Sequence, residues 1–211
     1  MLKPRILLAD DHTFVLEGFR HILEAHYELV GTAGDGYALL AAAKTFRPDI
    51  VILDISMPLL NGIDAAAQLK KICPKTKIII VTMHADAEYV RSAFEAGASA
   101  YVLKGSAVDE LEQAMRAVLG GHSYITPLIT KELVDVYLST ASEKPRGLTP
   151  RQREVLQFLA EGRTAKEIAN RLNITSRTVE FHKTQIMEHL NLKTTADLIK
   201  YALTHGIVST A

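Results

Sequence analysis

The sequence predicts a protein in two unlike parts: an α/β domain with a doubly wound sheet of five parallel strands, and a small all-α domain of four helices. Three observations indicate this. Short apolar runs alternate with helical patterns five times within residues 1–121, as is typical of βα units. Small, polar and helix-breaking residues follow at 139–147. Only helical patterns appear after them.

The strands of the first part are predicted from runs rich in Ile and Val that do not alternate with polar residues. Such runs favour strands that are buried on both faces of a parallel sheet. They lie at residues 5–9, 28–33, 49–53, 77–81 and 98–103. The helical patterns between and after them cover residues 13–26, 35–46, 62–72, 86–96 and 106–119.

The connection between the two parts contains one helical pattern and a linker. The pattern covers about 127–138 and begins at Pro127, a residue type favoured in the first turn of a helix. Residues 139–147 lack periodicity and are predicted to be the linker. The chain therefore divides into a first domain at 1–121, a linker helix and hinge at 122–147, and a second domain at 148–211.

The second domain shows four helical patterns and no strand-like run. Thr149 and Pro150 have the character of an N-cap followed by proline at the first helical position. Ser176 is predicted to cap the third and longest helix. The four patterns cover about 149–162, 164–172, 176–190 and 195–205, and the middle two have the spacing of a helix–turn–helix.

Charge and composition limit the classes of function. Residues 1–138 carry 13 Lys/Arg against 17 Asp/Glu, a net charge of −4, whereas residues 139–211 carry 11 against 7, a net charge of +4. A basic second half favours a nucleic-acid partner there. Cys73 is the single cysteine, which excludes a disulfide framework. No apolar stretch approaches the roughly 20 residues that span a bilayer, so we expect a cytoplasmic protein with no membrane partner.

Five polar residues mark the ends of the predicted strands. These residues are Asp10 and Asp11 after the first strand, Asp54 after the third, Thr82 after the fourth and Lys104 after the fifth. The carboxyl ends of parallel strands meet at one edge of the sheet, where ligands bind in a crevice. We therefore expect these side chains to lie close together.

These residue types suit phosphoryl transfer. Clustered carboxylates raise one another's pKa, and a divalent cation with oxygen ligands, such as Mg²⁺, removes that repulsion. Asp54 would then stay ionised and attack phosphorus. The ammonium of Lys104 and the hydroxyl of Thr82 would bind the new phosphoryl group. The sequence thus predicts a magnesium-dependent phosphoryl-acceptor site.

Residues 1–121 resemble the receiver domain of bacterial two-component response regulators, which has a flavodoxin-like fold. The matching segments are Asp10-Asp11-His12, Asp54-Ile-Ser-Met-Pro58 with Gly62, Val81-Thr82-Met83-His84, and Ala100-Tyr101-Val102-Leu103-Lys104. Taken jointly, these segments are highly specific for that domain.

The resemblance implies a role for each crevice residue. Asp54 is the phosphoacceptor. Mg²⁺ is held by Asp11 and Asp54 and by the backbone carbonyl of Ser56, with Asp10 acting mainly through a bound water. Thr82 and Lys104 bind the phosphoryl group, and Tyr101 is the rotating aromatic residue of the switch.

Three further residues would tune the lifetime of the acyl phosphate. Ser56 and His84 occupy the two positions that have this effect in receiver domains. Met83 is bulkier than the small residue that many receivers carry at that position. Met83 either restricts access to the acyl phosphate or simply packs, and the sequence leaves both readings open.

The third helix of the second domain has an apolar and a polar face. Val179, Ile186 and Leu190 fall on one stripe at about 100° per residue. The other face suits the major groove, which the second helix of a helix–turn–helix enters. Phosphate contacts are expected from Arg177 and Lys183, and base-edge contacts from Glu180, Phe181 and Thr184. The predicted DNA contacts are Arg177, Thr178, Glu180, Phe181, Lys183 and Thr184.

This part of the chain resembles the LuxR-type helix–turn–helix. The matching segments are Leu148-Thr-Pro-Arg-Gln-Arg-Glu-Val-Leu156, Gly162, Lys166-Glu-Ile-Ala169, and Ser176-Arg-Thr-Val-Glu180 with His182 and Ile186. A receiver joined to this module is the arrangement of the NarL/FixJ class. The resemblance implies base contacts from Glu180, Phe181 and Thr184, although many members carry Lys or Arg on this face. It also implies dimerisation through the last helix, and a symmetric dimer favours inverted half-sites.

The combined interpretation is a transcription factor controlled by phosphorylation, with no enzymatic activity beyond phospho-acceptance and autodephosphorylation at Asp54. A sensor histidine kinase would donate the phosphoryl group. The phosphorylated chain would act as a homodimer on double-stranded DNA, with RNA polymerase as a further candidate partner. A receiver placed over the recognition helix, with 139–147 as the hinge, is one arrangement that would keep the inactive form off DNA.

Two alternatives stay open at this point. One is a DNA-binding regulator whose receiver works independently of phosphorylation. The other is an aspartyl-phosphate phosphatase. Against it stands Ser56, since haloacid-dehalogenase-like phosphatases carry a second Asp two positions after the nucleophile.

Overall fold

The computed structural model describes residues 3–130, 148–205, 207 and 208 of the chain. Within these ranges, six strands form one parallel sheet in the order β2-β1-β3-β4-β5-β6. The strands are β1 Arg5–Ala9, β2 Glu28–Ala33, β3 Ile50–Leu53, β4 Lys77–Thr82, β5 Ala100–Leu103 and β6 Tyr124–Ile125. The five predicted strands are confirmed, but the predicted strand number was one too low. The sixth strand pairs only two residues with β5, which is too short to give a periodic pattern in the sequence.

Five helices cover the two faces of this sheet, as expected of a doubly wound fold. They are α1 Thr13–Leu23, α2 Gly36–Phe46, α3 Gly62–Ile72, α4 Ala87–Glu95 and α5 Ala107–Leu119. Alternate strand residues point to opposite faces. Leu7 and Val51 pack with α2, α3 and α4, whereas Ile6 and Ile50 pack with α1 and α5. Burial on both faces explains why the strands are continuous apolar runs.

The start of α3 is fixed closely against the end of β3. Asn61 is the N-cap of α3, and its Oδ1 accepts a hydrogen bond from the backbone N–H of Asp64 at 3.0 Å. A methyl group at Gly62 would collide with the carbonyl oxygen of Asp54. Glycine at this position therefore lets the helix approach the predicted phosphoacceptor.

The second domain consists, in residues 148–205, of the four predicted helices. They are α6 Pro150–Ala160, α7 Ala165–Leu172, α8 Ser176–His189 and α9 Thr195–Thr204. Thr149, Thr164 and Thr194 each form a capping box at a helix start. The prediction that Ser176 caps α8 was wrong, because Thr175 accepts the hydrogen bond from the backbone N–H of Thr178 at 3.1 Å. Both residues carry a hydroxyl, so residue type alone could not distinguish them.

The connection between the domains is described only in part. Residues 127–130 are helical, as predicted, while the rest of the predicted helix at 127–138 and the predicted linker at 139–147 lie outside the described residues. No helix in the described part of the chain is long and apolar enough to cross a membrane.

Candidate functional site

The structure brings Asp10, Asp54 and Lys104 together at the carboxyl end of the sheet. Nζ of Lys104 lies 2.7 Å from Oδ2 of Asp10 and 2.8 Å from Oδ2 of Asp54. Both carboxylates are buried. Burial by itself would lower the pKa of Lys104, but the two carboxylates more than offset this and raise it. The ammonium therefore stays charged and balances two buried negative charges.

Asp54 uses both of its carboxylate oxygens. Oδ1 accepts a hydrogen bond from the backbone N–H of Ile55 at 2.7 Å, and Oδ2 accepts one from Lys104. These two donors fix the orientation of the carboxylate. A carboxylate that is held in one orientation suits a nucleophile that must approach phosphorus along a fixed direction.

Asp11 carries a polar atom that the protein itself does not satisfy. Its Oδ1 is shielded from solvent and makes no hydrogen bond, although Nδ1 of His12 lies 2.7 Å away. Burial raises the pKa of Asp11, His12 opposes that shift, and the neighbouring carboxylate of Asp10 adds to it. A shielded carboxylate oxygen that makes no hydrogen bond and has only an imidazole nitrogen beside it is suited to a cation.

The residues around Asp11 therefore fit a divalent metal ion. Asp10, Asp11 and His12 offer ligand atoms that all lie within 4.8 Å of one another. His12 was not predicted as a ligand, although it stands in the Asp10-Asp11-His12 segment. Asp54, which was predicted as a ligand, lies outside this group.

Thr82, His84 and Tyr101 form a chain of contacts that leads away from the crevice. Thr82 is buried at the end of β4, and its Oγ1 accepts a long hydrogen bond of 3.4 Å from the backbone N–H of His84. The hydroxyl of Tyr101 donates to the carbonyl oxygen of His84 at 2.8 Å. Tyr101 is fully buried, and burial strongly raises its pKa. The ring therefore already points inward in this structure.

The three residues predicted to tune the lifetime differ in their surroundings. Ser56 Oγ and His84 Nε2 are 2.9 Å apart, and the imidazole stacks on the ring of Tyr89 with centroids 4.4 Å apart. Burial lowers the pKa of His84, which favours the neutral imidazole. Met83 is 72 % exposed, so it does not pack in the core, and the packing reading of this residue is wrong.

The predicted recognition helix, α8, presents its polar face to solvent. Val179 and Ile186 are fully buried in the core of the second domain. Phe181 is 58 % exposed. The other predicted DNA contacts on the outer face are also exposed, namely Arg177, Glu180 and Thr184, while Thr178 and Lys183 are half-buried. In this structure the α/β domain is therefore not placed over the recognition helix.

Two family models match the two domains. The model described as response regulator receiver domain matches residues 6–116, and the model described as bacterial regulatory proteins, luxR family, matches residues 146–202. The chain belongs to the two-component response regulators of the NarL/FixJ class. Its relatives span nearly the whole chain, so the match includes both domains in the same order.

Several of these relatives are full-length proteins of similar size. The transcriptional regulatory protein MctR of Rhizobium johnstonii is 39 % identical over 209 residues, covering 98 % of this chain and 96 % of the relative. The oxygen regulatory protein NreC of Staphylococcus carnosus is 38 % identical over 209 residues, which cover 94 % of this chain and 96 % of the relative. A solved structure of the response regulator RcsB from Salmonella typhimurium superposes with a TM-score of 0.69 at 29 % identity. The superposition covers 95 % of this chain and 97 % of the RcsB chain. An RcsB–DNA complex gives a TM-score of 0.60 at 27 % identity, and the superposition covers 94 % of this chain and 97 % of the RcsB chain.

The response regulator also contains an interface between its domains that the sequence analysis did not predict. Helix α6 of the LuxR-type domain docks on the start of α3 and on the β3–α3 loop, residues 54–61, of the receiver. Arg153 forms an ion pair with the buried Asp64: its Nη2 and Nε donate to Oδ1 at 2.9 and 3.1 Å, and its Nε also lies 3.4 Å from Oδ2. Gln157 and Glu161 hydrogen-bond to the backbone of the loop. Arg171 of α7 lies over the ring of Tyr37, 5.3 Å from its centroid.

A weak signal for this interface was present in the sequence. Arg153, Gln157 and Glu161 are spaced four residues apart, so they share one face of α6. A polar stripe of this kind is normally a solvated helix face, and Asp64 is normally an ordinary first-turn acid. The partners are about 90 to 100 residues apart in the chain, which no local pattern encodes.

Proposed function

We propose that Asp54 accepts a phosphoryl group from the phosphohistidine of a sensor kinase. A carboxylate oxygen of Asp54 attacks phosphorus, the P–N bond breaks, and the imidazole leaves with the electron pair and takes up a proton. The observation that carries this assignment is that a buried carboxylate at the carboxyl edge of the sheet is contacted by one ammonium and one backbone N–H. These fixed donors position the nucleophile before the reaction.

Asp10 and Asp11 are proposed to hold Mg²⁺, together with Asp54 and the backbone carbonyl of Ser56. The bound cation would neutralise charge that develops on the phosphoryl oxygens. The unsatisfied Oδ1 of Asp11 supports this proposal. His12 lies within reach of both acids, and its imidazole adds a candidate ligand or hydrogen-bond donor.

Lys104 and Thr82 are proposed to bind the phosphoryl group once Asp54 carries it. The ammonium now bridges Asp10 and Asp54 and would pair with a phosphoryl oxygen once Asp54 is modified. The hydroxyl of Thr82 would turn toward the same group and give up its long contact with the N–H of His84. Because the carbonyl of His84 binds Tyr101, this movement would reach the sheet face beside α4. Phosphorylation would shift an existing equilibrium between two such arrangements.

The DNA-binding domain is proposed to read an inverted-repeat operator as a dimer. The exposed face of α8 offers Arg177 and Lys183 for phosphates, and Glu180, Phe181 and Thr184 for base edges, with Thr178 beside them at the start of the helix. Solved structures of RcsB include two dimers bound to two parallel DNAs, which supports a dimeric mode of binding. Helix α9 is the proposed dimer contact.

Labelling with acetyl phosphate in the presence of Mg²⁺ tests the assignment of Asp54. We expect the wild-type protein and the variant Asp109→Asn, which changes an exposed acid in the first turn of α5, to take up one phosphoryl group. The variant Asp54→Asn should take up none, because its amide is not a nucleophile. Persistent labelling of that variant would remove Asp54 from the role.

A second measurement tests whether the receiver controls DNA binding. Operator affinity is compared with and without beryllofluoride, which mimics the phosphoryl group. A typical coupling of about 1–3 kcal/mol changes affinity about 5- to 150-fold. Equal affinities would favour a regulator whose receiver works independently of phosphorylation.

A further inference from the structure

The β3–α3 loop, residues 54–61, is completed by side chains from the other domain. Gln157 of α6 is fully buried. Its Nε2 donates to the carbonyl oxygen of Met57 at 2.8 Å, and its Oε1 accepts from the backbone N–H of Asn61 at 2.9 Å. One amide side chain thus bridges the backbone of two loop residues that are four positions apart.

Glu161 also hydrogen-bonds to the backbone of this loop. Its Oε1 accepts from the backbone N–H of Leu59 at 2.9 Å and from Nε2 of Gln157 at 3.1 Å. Leu59 has a φ of 69°, a left-handed conformation that is unfavourable for a branched side chain. Such a residue keeps this conformation only when its surroundings favour it, and the hydrogen bond from its N–H to Glu161 is part of those surroundings.

The loop is closed within the receiver by one backbone bond, from the N–H of Gly62 to the carbonyl oxygen of Ile55 at 2.8 Å. The N–H of Met57 bonds to the carbonyl of Ile55 and the N–H of Leu60 to that of Pro58, both across tight two-residue steps. Backbone polar groups that are shielded from water need partners, and Gln157 and Glu161 add partners for Met57, Leu59 and Asn61. The docked helix α6 therefore supplies three of the hydrogen bonds that hold the loop backbone.

The same loop carries the proposed metal-binding carbonyl of Ser56. This residue lies between Asp54, the proposed phosphoacceptor, and Met57, whose carbonyl is held by Gln157. The ion pair between Arg153 and Asp64 anchors α6 on the first turn of α3, without touching the loop backbone. The docked helix thus holds the second half of the loop and the first turn of α3.

We propose that Gln157 and Glu161 are positioning residues of the phosphorylation site, through which the DNA-binding domain preorganises the loop that binds the metal ion. This inference rests on the proposed function, since it takes the crevice to be a magnesium site. By linkage, the docking of α6 strengthens metal binding, and metal binding strengthens the docking of α6 by the same factor.

Calorimetric titration of Mg²⁺ into the full-length protein tests the proposal. We expect Gln157→Ala to weaken Mg²⁺ binding by about 5-fold or more, the lower end of a typical coupling. Gln157→Met keeps the volume but neither hydrogen bond, and should weaken binding as much. The control Gln185→Ala changes an exposed glutamine of α8 in the same domain and should bind Mg²⁺ like the wild type.

A milder pair of variants keeps the test valid if substitution of the buried Gln157 disturbs folding. Glu161 is half-buried at the end of α6. Glu161→Ala removes the acceptor for Leu59 and should weaken Mg²⁺ binding, whereas Glu161→Gln retains an Oε1 acceptor and should restore it. Amide NMR signals of Leu59 and Asn61 report independently whether each loop contact is lost.

The outcomes separate this inference from the proposed function. Wild-type Mg²⁺ affinity in Gln157→Ala and Glu161→Ala, whether or not the loop amide signals move, would overturn the positioning role alone. No Mg²⁺ uptake by the wild type, or uptake that Asp11→Asn leaves unchanged, would overturn the metal site itself and this inference with it.

Discussion

Replacement of Lys104 by methionine removes the one cation that contacts both Asp10 and Asp54 in the described structure. Their carboxylate oxygens lie 2.7 and 2.8 Å from the same Nζ atom, and the side chain of Lys104 is 12 % exposed. Removing one partner of a buried ion pair costs about 3–5 kcal/mol. Because some solvent reaches Lys104, we expect Lys104→Met to lower the free energy of unfolding of the receiver by about 3 kcal/mol at pH 7 without metal. At about 4 °C per kcal/mol for a domain of this size, the melting temperature should fall by roughly 12 °C.

Magnesium should reverse this loss. In the variant, a metal ion takes over the charge balance, and no ammonium competes with it for the carboxylates of Asp10 and Asp54. At one fixed Mg²⁺ concentration the variant should therefore bind the ion more tightly than wild type and gain more stability from it. Each tenfold decrease in the dissociation constant adds about 1.4 kcal/mol to that gain once the site is saturated.

Thermal unfolding followed by circular dichroism measures these effects in EDTA and in saturating Mg²⁺. The control is Lys44→Met, at an exposed lysine of α2, which should melt within about 2 °C of wild type in both conditions. If Lys104→Met behaves like that control in EDTA, or gains no more from Mg²⁺ than wild type does, the reasoning about the crevice charges is refuted.

Three further substitutions test the DNA face and the approach of α3. Arg177→Ala should weaken binding about equally on all sequences and reduce the slope of log affinity against log salt by about one, as expected for a phosphate contact; an unchanged slope in a salt titration would contradict that role. Thr184→Ala should cost about 1–3 kcal/mol at one base pair of the operator while acetyl-phosphate labelling is unchanged; loss of both activities would instead indicate misfolding. Gly62→Ala should destabilise the receiver by about 1–3 kcal/mol, because the added methyl group meets the carbonyl oxygen of Asp54; wild-type denaturant unfolding of that variant would show that α3 can move away.

Much of the fold and of the crevice is encoded locally in the sequence. Continuous apolar runs identified the five main strands, because a parallel sheet buries both faces of each strand. A polar residue at the end of such a strand can lie only at the carboxyl edge of the sheet, so Asp10, Asp54 and Lys104 were expected to meet before any coordinates were known. The two faces of α8 followed in the same way from the helical period, as the burial of Val179 and the exposure of Phe181 confirm.

Details that depend on packing were not determined in this way. The inward position of Tyr101 depends on an acceptor, the carbonyl of His84, that only the folded β4–α4 connection supplies. The exposure of Met83 likewise follows from the path of that connection and not from the residue type. The two-residue strand β6 exists because β5 offers it a free edge.

The sequence by itself determined two domains, a sheet whose carboxyl edge gathers acids around one lysine, and a helix with one face for the core and one for solvent. These are local consequences of periodicity and of strand direction. Only the tertiary structure decided that Arg153, Gln157 and Glu161 face the receiver and not water. It also decided that the receiver does not cover the polar face of α8. A polar side chain on a helix surface has the same pattern in either setting, and its partner, about 90 to 100 residues away, becomes a neighbour only when the two domains dock.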